Sequence, residues 1–460
     1  MSSSILYIKP EEIDTVEKRG KYIASVIGCE QVGVLQACLF AGAGFKVKCV
    51  DADQTIVNSI ARGRMPHLKH EIELKLRNYA KTGLLDATTD AKTAVSQSDV
   101  INITIPIKIG EKKKVDYSNL ENTCKRVGSS LRRGSLVVIM STVGIGVTQG
   151  FVKEILENTS GFKTGTDFGL AYSPIQLFNG ETLENLANQE RIVAATDKNS
   201  LNAASIILGI VTKGCLKKTE CVKAAEAVTL FEAVQQDVNV ALANELALLC
   251  QKVGVDYLEA HKLAKVGTYP MLSLPTLIGE NIREESQLLL EESENLNLNL
   301  RIPAIARETN EEIVKQAVNL TKDALRNCGK TLRRARISLL GILQIPNMKS
   351  PSKKVAAELA KMLEARGAKV SAYDPYFSGD ETGETTQYHL KKSLTEALEG
   401  VDCILILTGH EQFKRLNLNK LKALMKMPAA IVDLEGIIEP IKVEKEGFIY
   451  RGLGRGVWTK

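Results

Sequence analysis

A glycine-containing loop near the start of the chain has the spacing of a dinucleotide-binding motif. The segment Gly28-Cys29-Glu30-Gln31-Val32-Gly33 keeps the first and third glycines of the GxGxxG pattern. In that pattern the glycines let a strand turn tightly into a helix, whose N-terminal amides bind the pyrophosphate of a cofactor such as NAD. The spacing therefore predicts a nucleotide site that includes Gly28 and Gly33.

Glu30 occupies the middle position of this loop, where the pattern has a glycine. Its side chain adds bulk and negative charge at the place where a phosphate would lie. At about 5 Å and an effective dielectric near 20, a carboxylate and one phosphate charge repel by about 3 kcal/mol, or roughly two decades in affinity. We expect NAD binding to be weakened by Glu30, unless its side chain turns into water.

Asp51 follows the next apolar run and has the position of a ribose-binding residue. An acidic residue at the end of the second strand of such a fold accepts a hydrogen bond from the adenosine ribose, which favours NAD over NADP. The alternative is a carboxylate that only begins a loop. We expect the ribose role at Asp51.

The cysteine and histidine spacings predict neither a disulfide framework nor a metal site. The nine cysteines are an odd number and contain no CxxC pair. His67 and His70 lie close to Glu71, but no third ligand follows at regular spacing. Cys29 and Cys38, near the glycine loop, are expected to be buried structural thiols rather than nucleophiles.

Apolar runs alternate with helical periodicity over the first half of the chain. Residues 22–28 and 46–51 are typical of buried parallel strands, and 31–42 has helical spacing, which together make a βαβ unit. Further strands are predicted at 100–105, 136–140 and 192–195, and helices at 56–80 and 146–157. We therefore expect an N-terminal extension over residues 1–20 and a doubly wound dinucleotide-binding domain over 21–215.

The centre of the chain is predicted to be helical. From Lys223 to Gly254, apolar residues recur at three- and four-residue spacing, which favours one long amphipathic helix. A second helix is predicted around 307–326. We expect a central helical domain over 216–329 and a homodimer formed through the long helix.

The last part of the chain returns to alternating strands and helices. The predicted strands are 336–340, 369–374, 403–408 and 430–434, and the predicted helix is 353–366. They make a second, smaller doubly wound domain over 330–460. The predicted fold class is α/β, with two doubly wound Rossmann-like domains joined by a long central helix and a helical middle domain.

The composition disfavours several classes of protein. With 44% apolar and 25% charged residues, the 460-residue chain is not expected to be disordered, collagen-like or membrane-embedded. The net charge of +6 is mild, so no nucleic-acid partner is expected. Met1 to Gly20 contains only a short apolar run, which predicts neither a signal peptide nor a membrane partner, and we expect a cytoplasmic protein.

Six short segments, in this order, carry a resemblance to a known family. They are Val50-Asp51, Ser141-Thr142-Val143, Ser173-Pro174, Ala241 to Cys250, Tyr373-Asp374-Pro375-Tyr376 and Tyr450 to Gly456. Over about residues 20–456 the chain resembles the UDP-glucose and UDP-N-acetylmannosamine dehydrogenase family. The resemblance implies a UDP-sugar-binding C-terminal domain. It also implies an enzyme in which NAD accepts two hydrides from C6 of a UDP-sugar, while a cysteine holds the intermediate as a thioester.

The same resemblance implies that the reactive residues are replaced. Where the family has its nucleophilic cysteine, in a glycine-rich loop, this chain has Asn281, whose amide cannot add to a carbonyl as a thiolate does. The family's lysine and asparagine on the central helix are Thr229 and Ala233 here, and its proton-transferring glutamate is Ile175. Glu285 keeps an acidic charge where the family has an aspartate.

Other positions match or depart from the family in the same way. Asn179 replaces a second acidic residue, Met271 replaces an arginine, and the segment Gly341 to Asn347 lacks an expected aromatic residue and lysine. Thr142, by contrast, matches a threonine that helps to order water at the reacting carbon, or else it caps a helix.

Three functions are compatible with these residues. The favoured hypothesis is a family member without the cysteine-dependent four-electron oxidation, which binds a nucleotide or nucleotide-sugar as a non-catalytic or regulatory protein. The alternative is an active NAD-dependent oxidoreductase with altered chemistry on a UDP-sugar of the UDP-glucose or UDP-N-acetylhexosamine type, with Glu285 as base. The third is a purely structural role.

Overall fold

The structure is a computed structural model that describes residues 4–65, 68–110, 113–175, 183–264, 273–277, 279–343, 345–348, 354–377 and 389–458. The chain forms two compact units. The first contains Met1–Glu232 and Gln287–Leu298, and the second contains Ala233–Ser286 and Asn299–Lys460.

The first unit is built on a large, mostly parallel sheet. Its described strands are β1 (Ile23–Ile27), β2 (Lys46–Val50), β3 (Leu85–Thr88), β4 (Val100–Ile103), β5 (Lys108–Ile109), β6 (Val115–Asp116), β7 (Leu136–Ile139), β8 (Gly169–Tyr172), β9 (Arg191–Ala195) and β10 (Leu216–Thr219). Eight of them form one sheet in the order β3-β2-β1-β4-β7-β8-β9-β10, while β5 and β6 form a separate antiparallel pair. Only the β8–β9 pairing within the large sheet is antiparallel. The predicted doubly wound sheet is confirmed.

The strand register brings the ends of several strands to one edge. Ile27 of β1 lies opposite Val50 of β2 and Ile103 of β4, and Ile103 lies opposite Ile139 of β7. All four strands run in the same direction, so the residues that follow them share the carboxyl edge of the sheet. In doubly wound folds this edge is where ligands bind.

Helices pack on both faces of this sheet. They are α1 (Val16–Arg19), α2 (Gln31–Gly42), α3 (Gln54–Ala61), α4 (His70–Lys81), α5 (Ala91–Gln97), α6 (Ser118–Gly128), α7 (Lys153–Ser160), α8 (Leu183–Asn188) and α9 (Lys198–Val211). The prediction of helix across 56–80 was wrong in its middle, because the chain turns at Gly63, whose φ is +63°. The helix predicted over 146–157 begins with a π-helical turn, Thr148–Val152, before α7.

The central helix is confirmed as α10, Val222–Val253, which begins in the first unit and ends in the second. It is followed by α11 (Tyr257–Leu263), α12 (Glu280–Asn295) and α13 (Arg301–Asn327). Helix α13 starts earlier than the predicted 307–326. Within the described ranges, no helix combines the length and the apolar character needed to cross a bilayer.

The second unit contains a six-stranded, all-parallel sheet. Its described strands are β11 (Arg336–Leu340), β12 (Lys369–Tyr373), β13 (His389–Leu390), β14 (Cys403–Ile406), β15 (Ala430–Asp433) and β16 (Ile449–Gly452), in the order β13-β12-β11-β14-β15-β16. The remaining helices are α14 (Lys354–Glu364), α15 (Leu394–Leu398), α16 (Glu411–Lys414), α17 (Leu418–Leu424) and α18 (Pro440–Lys445). The strand order reverses at β11, which confirms the second doubly wound fold.

Candidate functional site

The glycine loop after β1 packs against α2 as closely as its spacing predicts. Gly28 has a φ of +91°, and a Cβ on Gly33 would lie 2.0 Å from the carbonyl oxygen of Gly28. Thr104, which follows β4, donates from Oγ1 to the same carbonyl at 2.5 Å. Because a side chain would clash at Gly33 and would be strained at Gly28, the loop retains the backbone path of a dinucleotide site.

Asp51 lies at the end of β2 and binds the backbone of this loop. Its Oδ2 accepts the backbone N–H of Cys29 at 2.7 Å, and its Oδ1 accepts that of Asp53 at 3.0 Å. The half-buried carboxylate is therefore fixed at the carboxyl edge of the sheet. Each oxygen keeps a second lone pair for a ligand hydroxyl. The ribose contact stays a prediction.

Glu30 lies at the N-cap of α2 without capping the helix through its side chain. The residue is exposed, yet the surrounding loop removes enough hydration to raise the pKa of its carboxyl, and the charge of Asp51 raises it further. Lys108, on β5, opposes this effect. Asp51 and Lys108 thus act in opposite directions on the carboxyl of Glu30 at the N-terminus of α2.

The cysteines near the loop have structural positions. Cys29 is fully buried and directs its Sγ toward the carbonyl oxygens of Val26 and Val50, at 3.4 and 3.6 Å. Burial raises the pKa of Cys38 to about 12. A thiol that stays protonated at neutral pH is a poor nucleophile, so Cys38 is not suited to replace a catalytic thiolate, and Cys29 is enclosed in the core.

Three of the residues that are predicted to replace reactive family residues have packing positions. Thr229 is buried and donates from Oγ1 to the carbonyl oxygen of Ala225, one turn earlier on α10. Ala233 is buried as well. Ile175 packs against the core of the first unit, and its N–H donates to the carbonyl oxygen of Met140 at 3.3 Å. None of these side chains gains or loses a proton in the pH range of catalysis.

The segment that resembles the nucleophile loop is helical from Glu280 onward. Asn281 lies in the first turn of α12, and Glu285 is half-buried on the same helix. Gly279 precedes this helix, and no glycine follows it within α12 to keep the backbone out of a helix. The side chain of Asn281, together with Asn179, Met271 and Gln344, lies outside the described residues.

Thr142 is half-buried and follows β7 by three positions, at the same edge as Gly28 and Asp51. Its proposed contact with ordered water stays a prediction.

No metal role is predicted for His67 and His70, and His67 lies outside the described residues. Among the side chains that the structure describes, no three His, Cys, Asp or Glu residues are grouped closely enough to hold a metal ion.

A buried polar network positions the segment just before α12. Asn244 of α10 pairs with the backbone of Thr276, accepting its N–H at 3.0 Å and donating to its carbonyl oxygen at 3.2 Å. Asn244 also donates to Asn310 at 2.9 Å, Asn310 donates to Asp237 at 2.8 Å, and Arg307 binds Asp237 at 2.7 Å. This network is not predicted from the sequence. Its signal was buried polar residues at helical spacing, seven apart on α10 and three apart on α13.

Glu435, for which the sequence predicts no role, lies at the carboxyl edge of the second sheet. Its Oε1 accepts the hydroxyl of Thr276 at 3.4 Å. Burial, together with the nearby charge of Asp433, raises the pKa of Glu435 to about 7. Asp433 is fully buried and accepts the backbone N–H groups of Glu435 and Ile438. The edge thus contains a carboxyl group that titrates near neutral pH.

The same edge is held by a buried aspartate–histidine pair. His410 Nδ1 accepts the N–H of Asn347 at 2.8 Å, and its Nε2 lies 3.2 Å from Asp374 Oδ2. Because Nδ1 accepts a hydrogen bond, Nε2 is the ring nitrogen that donates to Asp374. Asp374 also accepts the N–H of Leu343 at 3.0 Å, and the ring of Tyr376 stacks on His410. These contacts fix the ends of the segment Gly341 to Asn347.

Three family models match the chain in succession. The NAD binding domain of the UDP-glucose/GDP-mannose dehydrogenase family matches residues 23–209, the central domain matches 223–312, and the UDP binding domain matches 340–440.

Characterised relatives match over nearly the whole chain. A UDP-N-acetyl-D-mannosamine dehydrogenase of Pyrococcus horikoshii is 30% identical over 94% of this chain and 99% of its own length. The UDP-glucose 6-dehydrogenase TuaD of Bacillus subtilis is 27% identical over 94% of this chain and 93% of its own length.

Solved structures are similar to the same extent. The UDP-D-ManNAc dehydrogenase structure from Pyrococcus horikoshii aligns with a TM-score of 0.85 at 28% identity, covering 95% of this chain and all of that one. An NDP-N-acetyl-D-galactosaminuronic acid dehydrogenase from Methanosarcina mazei Go1 aligns with a TM-score of 0.77 at 26% identity, covering 98% and 99%.

Proposed function

Because the chain belongs to the UDP-glucose/GDP-mannose dehydrogenase family, a family of NAD-dependent UDP-sugar dehydrogenases, we propose that it is an NAD-dependent oxidoreductase acting on a UDP-sugar by altered chemistry. The observation that carries this proposal is the preserved dinucleotide loop. Gly28, Gly33 and Asp51 keep the close backbone approach and the fixed carboxylate that such a loop requires.

The residues at this edge fit a dinucleotide, with one opposing charge. The N-terminus of α2 would hold the pyrophosphate between Gly28 and Gly33, and Asp51 would accept from the ribose. Glu30 weakens the binding by its charge and bulk, and Lys108 offsets part of that charge. When bound, NAD supplies the acceptor for the hydride that leaves the alcohol carbon of the sugar.

The chain's own residues determine where the oxidation ends. No cysteine lies between Cys250 and Cys328, so the segment around Asn281 has no thiol that could hold a thioester. Glu285 is the proposed base for the hydroxyl proton. One C–H bond and one O–H bond are broken and a carbonyl is formed, so the product is two hydrogens lighter than the substrate and is not a uronic acid.

The other assignments are proposals on the same basis. The domains are 21–215 for the dinucleotide, 216–329 as the central helical domain and 330–460 for the UDP-sugar.

A homodimer through α10 is supported by the exposed apolar side chains Leu242, Leu249 and Val253. Light scattering at micromolar concentration should give twice the mass of the chain, and a monomer would refute this point.

A specific observation favours a second candidate, a non-catalytic member that binds a nucleotide or nucleotide-sugar. Thr229, Ala233 and Ile175 are integrated into packing and helix hydrogen bonding rather than left at a polar site. Residues that replace an abandoned catalytic group without harming the fold would have these features.

A substrate panel separates the two candidates. We expect NADH to form when the protein is incubated with NAD and UDP-glucose, UDP-N-acetylglucosamine or UDP-N-acetylmannosamine, with a sugar product lighter by two hydrogens in mass spectrometry. The D51N variant should slow NADH formation at limiting NAD. Unchanged sugars in every reaction, with NAD and UDP still binding, would favour the non-catalytic candidate, and a uronic acid would refute the altered chemistry.

A further inference from the structure

The first unit contains a cavity that the proposed reaction does not use. It has a volume of about 470 Å³ and lies where the ends of α3 and α4 meet. The described residues that line it are Ala61, Arg62, Arg64, Arg77, Ala80 and Lys81. Four of these six residues are cationic, and the volume is in the range of small-molecule sites.

A close backbone contact builds this cavity. The chain leaves α3 through Gly63, whose φ is +63° and whose Cβ, if it had one, would lie 2.4 Å from the Cα of Arg77. The N–H of Arg64 donates to the carbonyl oxygen of Ser59 at 2.9 Å, which closes the turn. The turn is therefore pressed onto α4, so that Arg62 and Arg64 line one cavity with Arg77.

The four cationic side chains lack carboxylate partners among the residues that the structure describes. No described aspartate or glutamate lies within ion-pair distance of Arg62, Arg64, Arg77 or Lys81. Glu73, one turn before Arg77, uses its Oε1 to accept the N–H of Met65 at 3.0 Å. Cations at helix C-termini are favoured by the helix dipole, but each terminus contributes only about half a negative charge. Two termini offset about one of the four charges.

We propose that this cavity is a binding site for a small diphosphate-bearing molecule, separate from the dinucleotide loop. Guanidinium groups bind phosphate oxygens through paired hydrogen bonds, and three of them line one cavity here. The site is at the opposite end of α3 from Asp51 and Asp53. An eight-residue helix places the two ends about 12 Å apart.

The test is calorimetric titration of the full-length protein with inorganic pyrophosphate, alone and with saturating NAD or UDP. We expect one pyrophosphate site per chain, which remains when either NAD or UDP is present. In R64Q/R77Q the affinity for pyrophosphate should fall at least about tenfold. The matched control is R126Q/K322Q, which removes the same charge from exposed positions and should titrate like the wild type. If R64Q/R77Q unfolds, R62Q/K81Q makes the same measurement.

Several outcomes would overturn the proposal. Equal titrations in the cavity and control variants would show that general surface charge binds pyrophosphate. Complete displacement by NAD or UDP would assign the binding to a nucleotide site. A short single-stranded RNA that binds in a manner sensitive to R64Q/R77Q, while pyrophosphate does not bind, would identify a nucleic-acid surface instead. Because pyrophosphate binding is measured without turnover, these results are independent of whether the protein oxidises a UDP-sugar.

Discussion

The carboxyl edges of the two sheets differ in how they treat an acidic side chain. At the first edge Glu30 is exposed, with Lys108 nearby to offset its charge. At the second edge Glu435 is largely enclosed beside Asp433, and the pKa of Glu435 rises to about 7. Loss of hydration and a neighbouring aspartate raise the pKa of both carboxyls, and that of the more enclosed Glu435 reaches about 7, because burial rather than topology sets proton affinity.

The difference indicates two ways in which a ligand edge can change. At the first edge the backbone path is retained and one side chain alters the charge. At the second edge Asp374 and His410 form a buried pair, and a separate contact, between Asn244 and Thr276, leads to the titrating Glu435. We therefore expect substitutions at the second edge to affect stability most, and substitutions at the first edge to affect nucleotide affinity.

The largest effect is expected for D374A. The substitution removes the acceptor of the Leu343 and Tyr376 N–H groups and of His410, and leaves the buried donors of Leu343 and His410 without this partner. The free energy of unfolding should fall by about 3 kcal/mol. Urea unfolding measures this free energy, and the control is D116N, a substitution of the exposed Asp116. A loss no greater than in the control would mean that the pair does not stabilise this edge.

The next effect is expected for E30G, which restores the glycine of the motif. Removing the charge and bulk should raise NAD affinity by up to roughly a hundredfold, as about 3 kcal/mol of repulsion implies. E30Q separates the two causes, because it removes the charge and keeps the bulk. Calorimetry with NAD at two salt concentrations measures both variants. Unchanged affinity in both would show that the Glu30 side chain does not lie near the pyrophosphate.

A pH dependence is expected from Glu435. Its pKa is raised on folding, so the folded protein binds the proton more tightly than the unfolded chain between about pH 4.5 and 7. The stability contributed by this group is present at low pH and is lost as pH rises through 7, by about 2 kcal/mol. In E435Q this part of the pH dependence should disappear, whereas E439Q, an exposed glutamate, should keep it. Parallel curves for wild type and E435Q would contradict the burial argument.

The smallest effect is expected for D51N. An amide in place of the carboxylate removes the charge that favours a ribose hydroxyl, and NAD affinity should fall about tenfold while NADP affinity changes little. D53N is the control, since Asp53 accepts the N–H of Thr55 at the start of α3. A similar loss in both variants would indicate a general disturbance of the loop rather than a ribose contact.

Local patterns predicted much of this fold. The alternation of apolar runs located β1, β2 and the long helix α10 to within one or two residues, because each element buries a continuous stripe of side chains. The break between α3 and α4 was missed, since it depends on the contact of Gly63 with Arg77, which local periodicity does not contain. Strand β16 was missed because its buried Arg451 conceals the apolar pattern of a strand.

The residue types and their spacing establish which reactive groups this protein contains. A nucleotide loop with Glu30 at its centre can be read from residue identity and spacing, and the family resemblance predicts an asparagine where a thiol would lie. The contacts and the pKa of each group, by contrast, depend on the folded structure. Thr276 and Glu435 are 159 positions apart, and no local pattern predicts that they meet or that burial brings the pKa of Glu435 to about 7. Desolvation depends on which segments pack around a side chain, and that is a property of the folded chain alone.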